Sequence, residues 1–205
     1  GCGRRTAARG MTAPATPLRV SLVQAATAYR TALRNADALA LLAECSVPLE
    51  YAQVNPVAFE PAIAPHLAAR EAGVALTVQS LLGPMREVLA LEADFTLIEG
   101  AGGWRVPLAG QDNLSDLAIA LGLPVILVVG VRLGCISHAL LTAEAIAARG
   151  LRLAGWVANR IDPQMAAADD NIATLAPRLP APLWAEVPHG CTDARLLPFN
   201  ARFDA

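Results

Sequence analysis

The chain has 205 residues, of which 55% are hydrophobic and 17% are charged, and its formal net charge is −2. This composition supplies enough apolar side chain for a large core and excludes a globally disordered chain. Without a basic excess to neutralise a phosphate backbone, the chain is not expected to bind nucleic acid generally. The longest uncharged apolar run, residues 117–131, is too short to span a bilayer, which needs about 20 residues, so no membrane association is expected.

The cysteine and lysine contents add two constraints. Four cysteines lie far apart without a Cys-x-x-Cys pair, which is typical of a reducing compartment and predicts a cytoplasmic location. The chain contains sixteen arginines and no lysine. No chemical step of these 205 residues can therefore use a lysine as phosphate ligand, base or nucleophile.

The N-terminal part is the least regular. Residues 1–20 are rich in Arg, Ala, Thr, Gly and Pro without periodicity, which predicts an irregular leader ahead of one α/β domain over residues 21–205. Residues 21–44 carry apolar side chains at helical spacing and predict helical structure. Residues 74–91 predict a further helix, which Gly83-Pro84 kinks or restarts.

Strand and helix patterns alternate from residue 94 onward. Apolar runs predict strands over 94–100, 123–131, 151–162 and 181–190. Amphipathic segments predict helices over 115–122, 138–150 and 164–179, with Ser115 and Ser137 as N-caps and Gly122 and Gly150 as stops. This rhythm predicts an α/β fold with a parallel sheet and right-handed crossovers.

The first candidate site follows the strand that ends at Glu99. Ligands of open parallel sheets sit beyond the carboxyl ends of the strands, and here an acid is followed by Gly100, Ala101 and Gly102. Glycines expose backbone N–H groups to phosphate oxygens, and a carboxylate can hold Mg²⁺. A tight turn with a solvated Glu99 is the alternative. Asp37 is interpreted either as an ordinary helix N-cap or, if it faces Glu99, as a second metal ligand.

Two further strand ends carry polar residues. Arg132 lies in a glycine-containing turn before a helix and could pair with a carboxylate, while Cys135 is expected to be a small buried filler. Asn159 follows the next strand, and its amide could read a nucleobase edge, although an Asn in a turn is equally expected. The turn at residues 188–190 after the last strand is a weaker candidate of the same kind.

Six blocks resemble one family. They are LRNADALAL (33–41), NPVAFEPAIAPH (55–66), IEGAGGWRVPL (98–108), LPVILVVGVRLGCISHALLTA (123–143), LAGWVANRIDP (153–163) and APLWAEVP (181–188). In this order they resemble ATP-dependent dethiobiotin synthetase over residues 21–188. The resemblance implies a P-loop NTPase-like parallel sheet flanked by helices. It also implies a homodimeric cyclo-ligase of biotin synthesis, which closes the ureido ring of dethiobiotin from 7,8-diaminononanoate, CO₂ and ATP with Mg²⁺.

The resemblance also implies roles for individual residues. Asp37 and Glu99 match the two acidic Mg²⁺ ligands, which predicts that they approach each other at the carboxyl edge of the sheet. The nucleotide-binding positions implied by the match are Asp37, Glu99, Gly100, Ala101, Gly102, Asn159, Arg160, Pro188, His189 and Gly190. The substrate-side segment is Leu133, Gly134, Cys135, Ile136 and Ser137. Residues 133–143 are expected near a two-fold axis of the dimer.

The chain departs from the family pattern at its N-terminal end. The family opens with a strand and a loop ending in Gly-Lys-Thr, followed by a second strand with a catalytic lysine, and residues 1–32 match neither. SLVQAATAYRTA (21–32) resembles the helix after that loop; alternatively, GCGRRTAARG (1–10) resembles the stretch after the catalytic lysine. The N-terminal strand and P-loop portion is thus expected to be absent or irregular, and no catalytic residue is assigned.

Two hypotheses follow from that departure. The first is a dethiobiotin synthetase whose N-terminal region is truncated or frameshifted. The second is a catalytically inactive relative that acts as a scaffold or partner subunit and retains a nucleotide-pocket remnant. A Gly-x₄-Gly-Lys-Ser/Thr motif in any frame of the upstream DNA favours the first.

Overall fold

The computed structural model describes residues 20–24, 27–28, 35–60 and 63–191. The chain divides into two compact units, residues 1–103 with 107–111 and residues 104–106 with 112–205. In chain order the elements are β1 (Val20–Gln24), β2 (Thr27–Ala28), α1 (Ala36–Glu44), α2 (Tyr51–Val54), β3 (Ala58–Phe59), α3 (Pro65–Glu71), α4 (Val78–Leu89), β4 (Phe95–Glu99), α5 (Leu114–Leu121), β5 (Val125–Gly130), α6 (Cys135–Ala147), β6 (Leu153–Asn159), α7 (Ala168–Leu175) and β7 (Leu183–Val187).

The first unit is built on two parallel strand pairs. β1 pairs with β4 in a register that sets Gln24 opposite Glu99, and β2 pairs with β3. The helical structure predicted over residues 21–44 is confirmed for residues 36–44, which form α1, and is wrong for residues 21–24 and 27–28, which form strands. The apolar spacing there fits a helix or a strand, and pairing with a parallel neighbour decides between them. Apart from Val20, the predicted leader lies outside the described residues.

Helices supply the core of the first unit. α4 begins at a capping box, in which the Ser80 amide donates to Thr77 Oγ1 at 3.1 Å and the Thr77 amide donates to Ser80 Oγ at 3.0 Å. The predicted restart of this helix at Pro84 is wrong, because α4 runs through that residue as one element. The fully buried side chains include Val54, Leu76, Leu81, Met85 and Val88.

The second unit contains a three-stranded parallel sheet in the order β5-β6-β7. Every strand and helix predicted from residue 115 onward is present. The three strands and α7 are shorter than the runs that predicted them, whereas α5 and α6 have the predicted length and begin earlier. The long β-branched runs explain this success, since they are typical of parallel strands buried on both faces. The parallel α/β fold class is confirmed.

Trp156 and Trp184 anchor the packing of this sheet. Both are buried, with exposed fractions of 0% and 1%. A Cβ added at Gly155 would lie 2.2 Å from Trp184 Cε2, so the glycine leaves the space that the indole occupies. The β6 strand, which ends at Asn159, is thereby held against β7 by a close glycine–tryptophan contact.

Two predicted N-caps, Ser115 and Ser137, are wrong in position. Asn113 caps α5 instead of Ser115, with a hydrogen bond of 2.8 Å from its amide to Asp116 Oδ2. α6 begins after Gly134 (φ 91°), which leaves Ser137 inside the helix. In both cases the helix begins earlier in the chain: the Asn113 side chain accepts from a first-turn amide of α5, and Gly134 adopts the left-handed backbone that precedes α6. The Gly122 stop is confirmed by its left-handed φ of 68°. None of the helices in the described part of the chain is long and apolar enough to cross a membrane.

Candidate functional site

Asp37 lies in the first turn of α1 and is not the N-cap. Asn35 caps the helix, since its Oδ1 accepts from the amides of Asp37 at 2.6 Å and Ala38 at 3.1 Å. The Asn35 amide in turn donates to the Tyr51 hydroxyl at 2.8 Å, and Asn55 Nδ2 donates to the same oxygen at 3.1 Å. These bonds fix the start of α1, and so they fix the backbone that presents the exposed Asp37.

Glu99 ends β4 and interacts with Asp37. Surrounding protein atoms desolvate the Glu99 carboxyl group and raise its pKa, and the negative charge of Asp37 raises the pKa further. The residue as a whole still reaches solvent. Asp37 and Glu99 are therefore near enough in the first unit to interact electrostatically, and their predicted role as a metal-binding pair stays a prediction.

The turn after Glu99 has the backbone expected of a glycine loop. Gly102 and Gly103 adopt φ angles of 83° and 102°, a region that L side chains rarely enter. A Cβ at Gly103 would meet nothing within 4 Å, so its backbone conformation rather than crowding requires glycine there. The loop presents exposed backbone directly after a carboxylate.

The carboxyl ends of β5, β6 and β7 meet at one edge of the second sheet. The register aligns Gly130 with Asn159 and Asn159 with Val187. The Val131 amide donates to the Asn159 carbonyl at 2.7 Å, and the Arg160 amide donates to the Val187 carbonyl at 2.9 Å. The predicted base-reading residue therefore stands between the turn that follows β5 and the turn that follows β7.

The Arg160 side chain binds two carboxylates of its own chain. Its Nη2 donates to Asp169 Oδ1 at 2.5 Å and to Glu186 Oε2 at 2.9 Å. Both hydrogen bonds raise the pKa of Arg160, and the bond to Glu186 has the larger effect. The guanidinium is thus committed to protein acids in this structure, which separates its role from that of Asn159.

The turn after β7 is exposed and closely folded. Pro188, His189 and Gly190 all reach solvent, and Gly190 adopts a φ of 71°. The Cys191 amide closes the turn by donating to the Pro188 carbonyl at 3.2 Å. This turn and Asn159 lie at the same sheet edge, as the sequence predicted.

The segment between β5 and α6 divides into a buried and an exposed part. Cys135 is 4% exposed and belongs to the core, which confirms the buried-filler interpretation, and Ile136 and Leu140 pack partly against that core. Leu133 and Leu141 are instead 94% and 61% exposed. The segment therefore presents large apolar side chains to solvent beside the strand-end edge.

Sequence reasoning missed the residues that support the site. Asn35, Tyr51 and Asn55 form the network under Asp37, and Asp169 and Glu186 hold Arg160. The sequence did contain a signal for Asn35. Asn is a preferred N-cap residue, and Asn35 stands two residues before Asp37. The Glu186 contact carried no local signal, since its partner lies 26 residues away in the sequence.

The side chains predicted to bind a metal ion are a pair of carboxylates, Asp37 and Glu99. In the part of the chain that the structure describes, no group of three or more His, Cys, Asp or Glu side chains is placed to hold a metal ion. Two carboxylates suit Mg²⁺, which is usually held by one or two protein acids together with substrate phosphates and water. A separate groove of about 470 Å³ in the first unit is lined by His66, Arg70 and mostly apolar residues, and contains none of the predicted site residues.

The parallel α/β architecture, with an acid and a glycine turn after β4, defines a nucleotide-binding protein of the P-loop NTPase type. The family model described as an AAA domain matches residues 21–191. A protein named ATP-dependent dethiobiotin synthetase from Pseudomonas paraeruginosa is 71% identical over 156 residues, covering 76% of this chain and 68% of that protein. Identically named proteins from Cellvibrio japonicus and Chromohalobacter salexigens are 58% and 54% identical, with 76% of this chain and 68% and 69% of those proteins covered.

The chain belongs to the ATP-dependent dethiobiotin synthetase family. The family assigned from the sequence blocks is thereby confirmed. The inactive-relative hypothesis gains no support from these comparisons, since all three relatives carry the name of an ATP-dependent synthetase.

Proposed function

We propose that the chain carries out ATP-dependent closure of the ureido ring of dethiobiotin from 7,8-diaminononanoate and CO₂. The observation that carries this proposal is the electrostatic interaction of Asp37, in the first turn of α1, with Glu99, which ends β4 directly before a glycine turn. A carboxylate pair and exposed backbone N–H groups are the groups that a metal–nucleotide complex needs. The identity of the substrate and the reaction are inferred from the family to which the chain belongs.

Asp37 and Glu99 are the groups that would hold Mg²⁺. The charge of Asp37 raises the pKa of Glu99, so a bound cation would relieve the repulsion between the two acids. When bound, Mg²⁺ offsets the charge of the transferring phosphoryl group. The protein's own contribution is to fix Asp37 through the Asn35 cap and Glu99 through the end of β4.

The second unit supplies recognition of the base. Asn159 offers an amide donor and acceptor beside the turn at 188–190, which suits the edge of an adenine. The 100–102 turn serves the phosphates by its backbone N–H groups. We assign residues 133–137 to the side of the diamine substrate, as the family match implies.

A homodimer and a cytoplasmic location complete the proposal. Leu133 and Leu141 would lose their exposed apolar surface in a dimer that has the 133–143 segment near its two-fold axis. Light scattering coupled to size exclusion is expected to give twice the chain mass, and a value of about 21 kDa contradicts the dimer.

The absence of lysine limits the rate of this polypeptide. In the family a P-loop lysine offsets phosphate charge, and loss of one such contact costs on the order of 10²–10³ in rate. Arginine is not equivalent, because its planar fork is bulkier than an ammonium group and is not deprotonated in proteins. The 205 residues alone are therefore expected to turn over slowly, and a version extended by a relative's strand, P-loop and catalytic-lysine segment is expected to turn over much faster.

The test is an assay of dethiobiotin formation that depends on ATP and 7,8-diaminononanoate, run on both polypeptides. We expect the extended version to exceed the 205 residues by at least about 10²-fold. No product from a folded extended version contradicts the proposed reaction. Turnover by the 205 residues within tenfold of the extended version contradicts the role given to the lysines.

A further inference from the structure

Two carboxylates lie next to the proposed base site and are joined by one guanidinium nitrogen. Glu186 precedes the last residue of β7 and leads directly into the 188–190 turn. Asp169 lies in the first turn of α7. Arg160 Nη2 donates to both, at 2.9 Å and 2.5 Å, so this single group connects the end of β7 to the start of α7.

The backbone of Arg160 strengthens the same connection. Its amide donates to the Val187 carbonyl at 2.9 Å, which extends the β6–β7 ladder one residue beyond Asn159. Arg160 therefore holds β7 by its backbone and holds Glu186 and α7 by its side chain. Asn159 is the residue immediately before it.

The charges have a direct consequence for an anionic ligand. A nucleotide triphosphate carries several negative charges, and two carboxylates beside its base would repel it. The positive guanidinium of Arg160 leaves the three side chains together with the net negative charge of one carboxylate instead of two. The Arg160 side chain, which is 29% exposed, is already bound to the two carboxylates before any base arrives.

We propose that Arg160 is a positioning residue for nucleotide binding and does not itself read the base. It offsets the negative charges of Glu186 and Asp169 beside the base site, and through these two carboxylates it connects the 188–190 turn to the start of α7, so that Asn159 can meet an adenine edge. This inference rests on the proposed function, because it takes the edge beside Asn159 as the base site.

The first test is a titration with a fluorescent N-methylanthraniloyl derivative of ATP. Arg160→Met is expected to weaken binding of the probe about tenfold, because it leaves Glu186 and Asp169 without their shared cation. The double variant Arg160→Met/Glu186→Gln is expected to bind within about threefold of the unchanged chain, since the repelling charge has also been removed. Arg178→Met is the matched control, because the Arg178 side chain donates to the Thr174 carbonyl at 2.8 Å, near the end of α7, and does not join two carboxylates.

The double variant separates positioning from direct reading. If Arg160 contacted the base itself, removing Glu186 charge would not restore affinity, and the double variant would stay as weak as Arg160→Met. That result overturns the inference. An Arg160→Met variant that binds the probe as well as the unchanged chain also overturns it.

A second measurement does not need a nucleotide. Hydrogen exchange is expected to accelerate in Arg160→Met at the amides of Cys191 and Asn171, which close the 188–190 turn and begin α7. Arg178→Met should leave both rates unchanged. Exchange rates in Arg160→Met that equal those of the unsubstituted chain overturn the inference. Failure of the unsubstituted chain to bind the probe contradicts only the proposed function, and the exchange rates then decide the role of Arg160.

Discussion

Each unit pairs an acid near the carboxyl end of a parallel strand with an acid in the first turn of a helix, and the two pairs differ in their electrostatics. In the first unit Asp37 acts on Glu99 as a like charge and raises its pKa. In the second unit Asp169 and Glu186 share the guanidinium of Arg160. The difference teaches that acids at the same kind of position can repel each other, as in the first unit, or be joined by a cationic side chain of the same chain, as in the second.

The strongest way to break this comparison is to neutralise one acid of each pair. In the version extended by a P-loop, Glu99→Gln is expected to lower turnover by about 10²–10³, because it removes a ligand of the charge-offsetting cation. Asp169→Asn is expected to stay within about threefold, since Asp169 is 87% exposed and such ion pairs contribute little. The steady-state assay of dethiobiotin formation measures both, and equal losses in the two variants contradict the contrast between the pairs.

A packing change probes the second region without altering its charges. Gly155→Ala is expected to destabilise the chain by about 1–3 kcal/mol, because the added methyl group would overlap the buried Trp184 indole. Gly130→Ala is the matched control on the neighbouring strand, where the added atom meets the end of the flexible Ile161 side chain at 2.8 Å. Urea denaturation measures both, and a Gly155→Ala variant as stable as Gly130→Ala shows that the glycine–tryptophan contact does not anchor β6.

Much of the second unit could be predicted from the sequence. The run over residues 123–131 is apolar and β-branched, and such a run has few alternatives to a buried parallel strand. The strand ends then placed Asn159 and the 188–190 turn at one edge. The ion pair of Arg160 with Glu186 could not be predicted, because it joins residues that are distant in the sequence.

The first unit was harder to predict for a physical reason. The apolar positions at residues 21–28 fit helical spacing as well as short strands, and pairing with β4 and β3 decided between them. Asp37 was predicted to approach Glu99 only because the family match aligned both acids. Its neighbour Asn35, which caps α1, could have been recognised from residue type alone.

The smallest expected effect is the dependence of stability on pH. The raised pKa of Glu99 means that the folded chain is stabilised when Glu99 is protonated, and this contribution is lost as pH rises through that pKa. Glu99→Gln is therefore expected to melt slightly above the unchanged chain at pH 7, by about 1–2 °C, and the difference should vanish towards pH 4. Thermal melts without divalent cations measure this, and a less stable variant at pH 7 contradicts the sign.

The most direct test of the acid pair as a cation site is calorimetric titration of Mg²⁺ into the chain saturated with a non-hydrolysable ATP analogue. The account predicts one Mg²⁺ per chain, at least about tenfold weaker binding in Glu99→Gln, and unchanged binding in Glu87→Gln, an exposed acid on α4 of the same unit. Equal Mg²⁺ affinity in Glu99→Gln and the unchanged chain would contradict it.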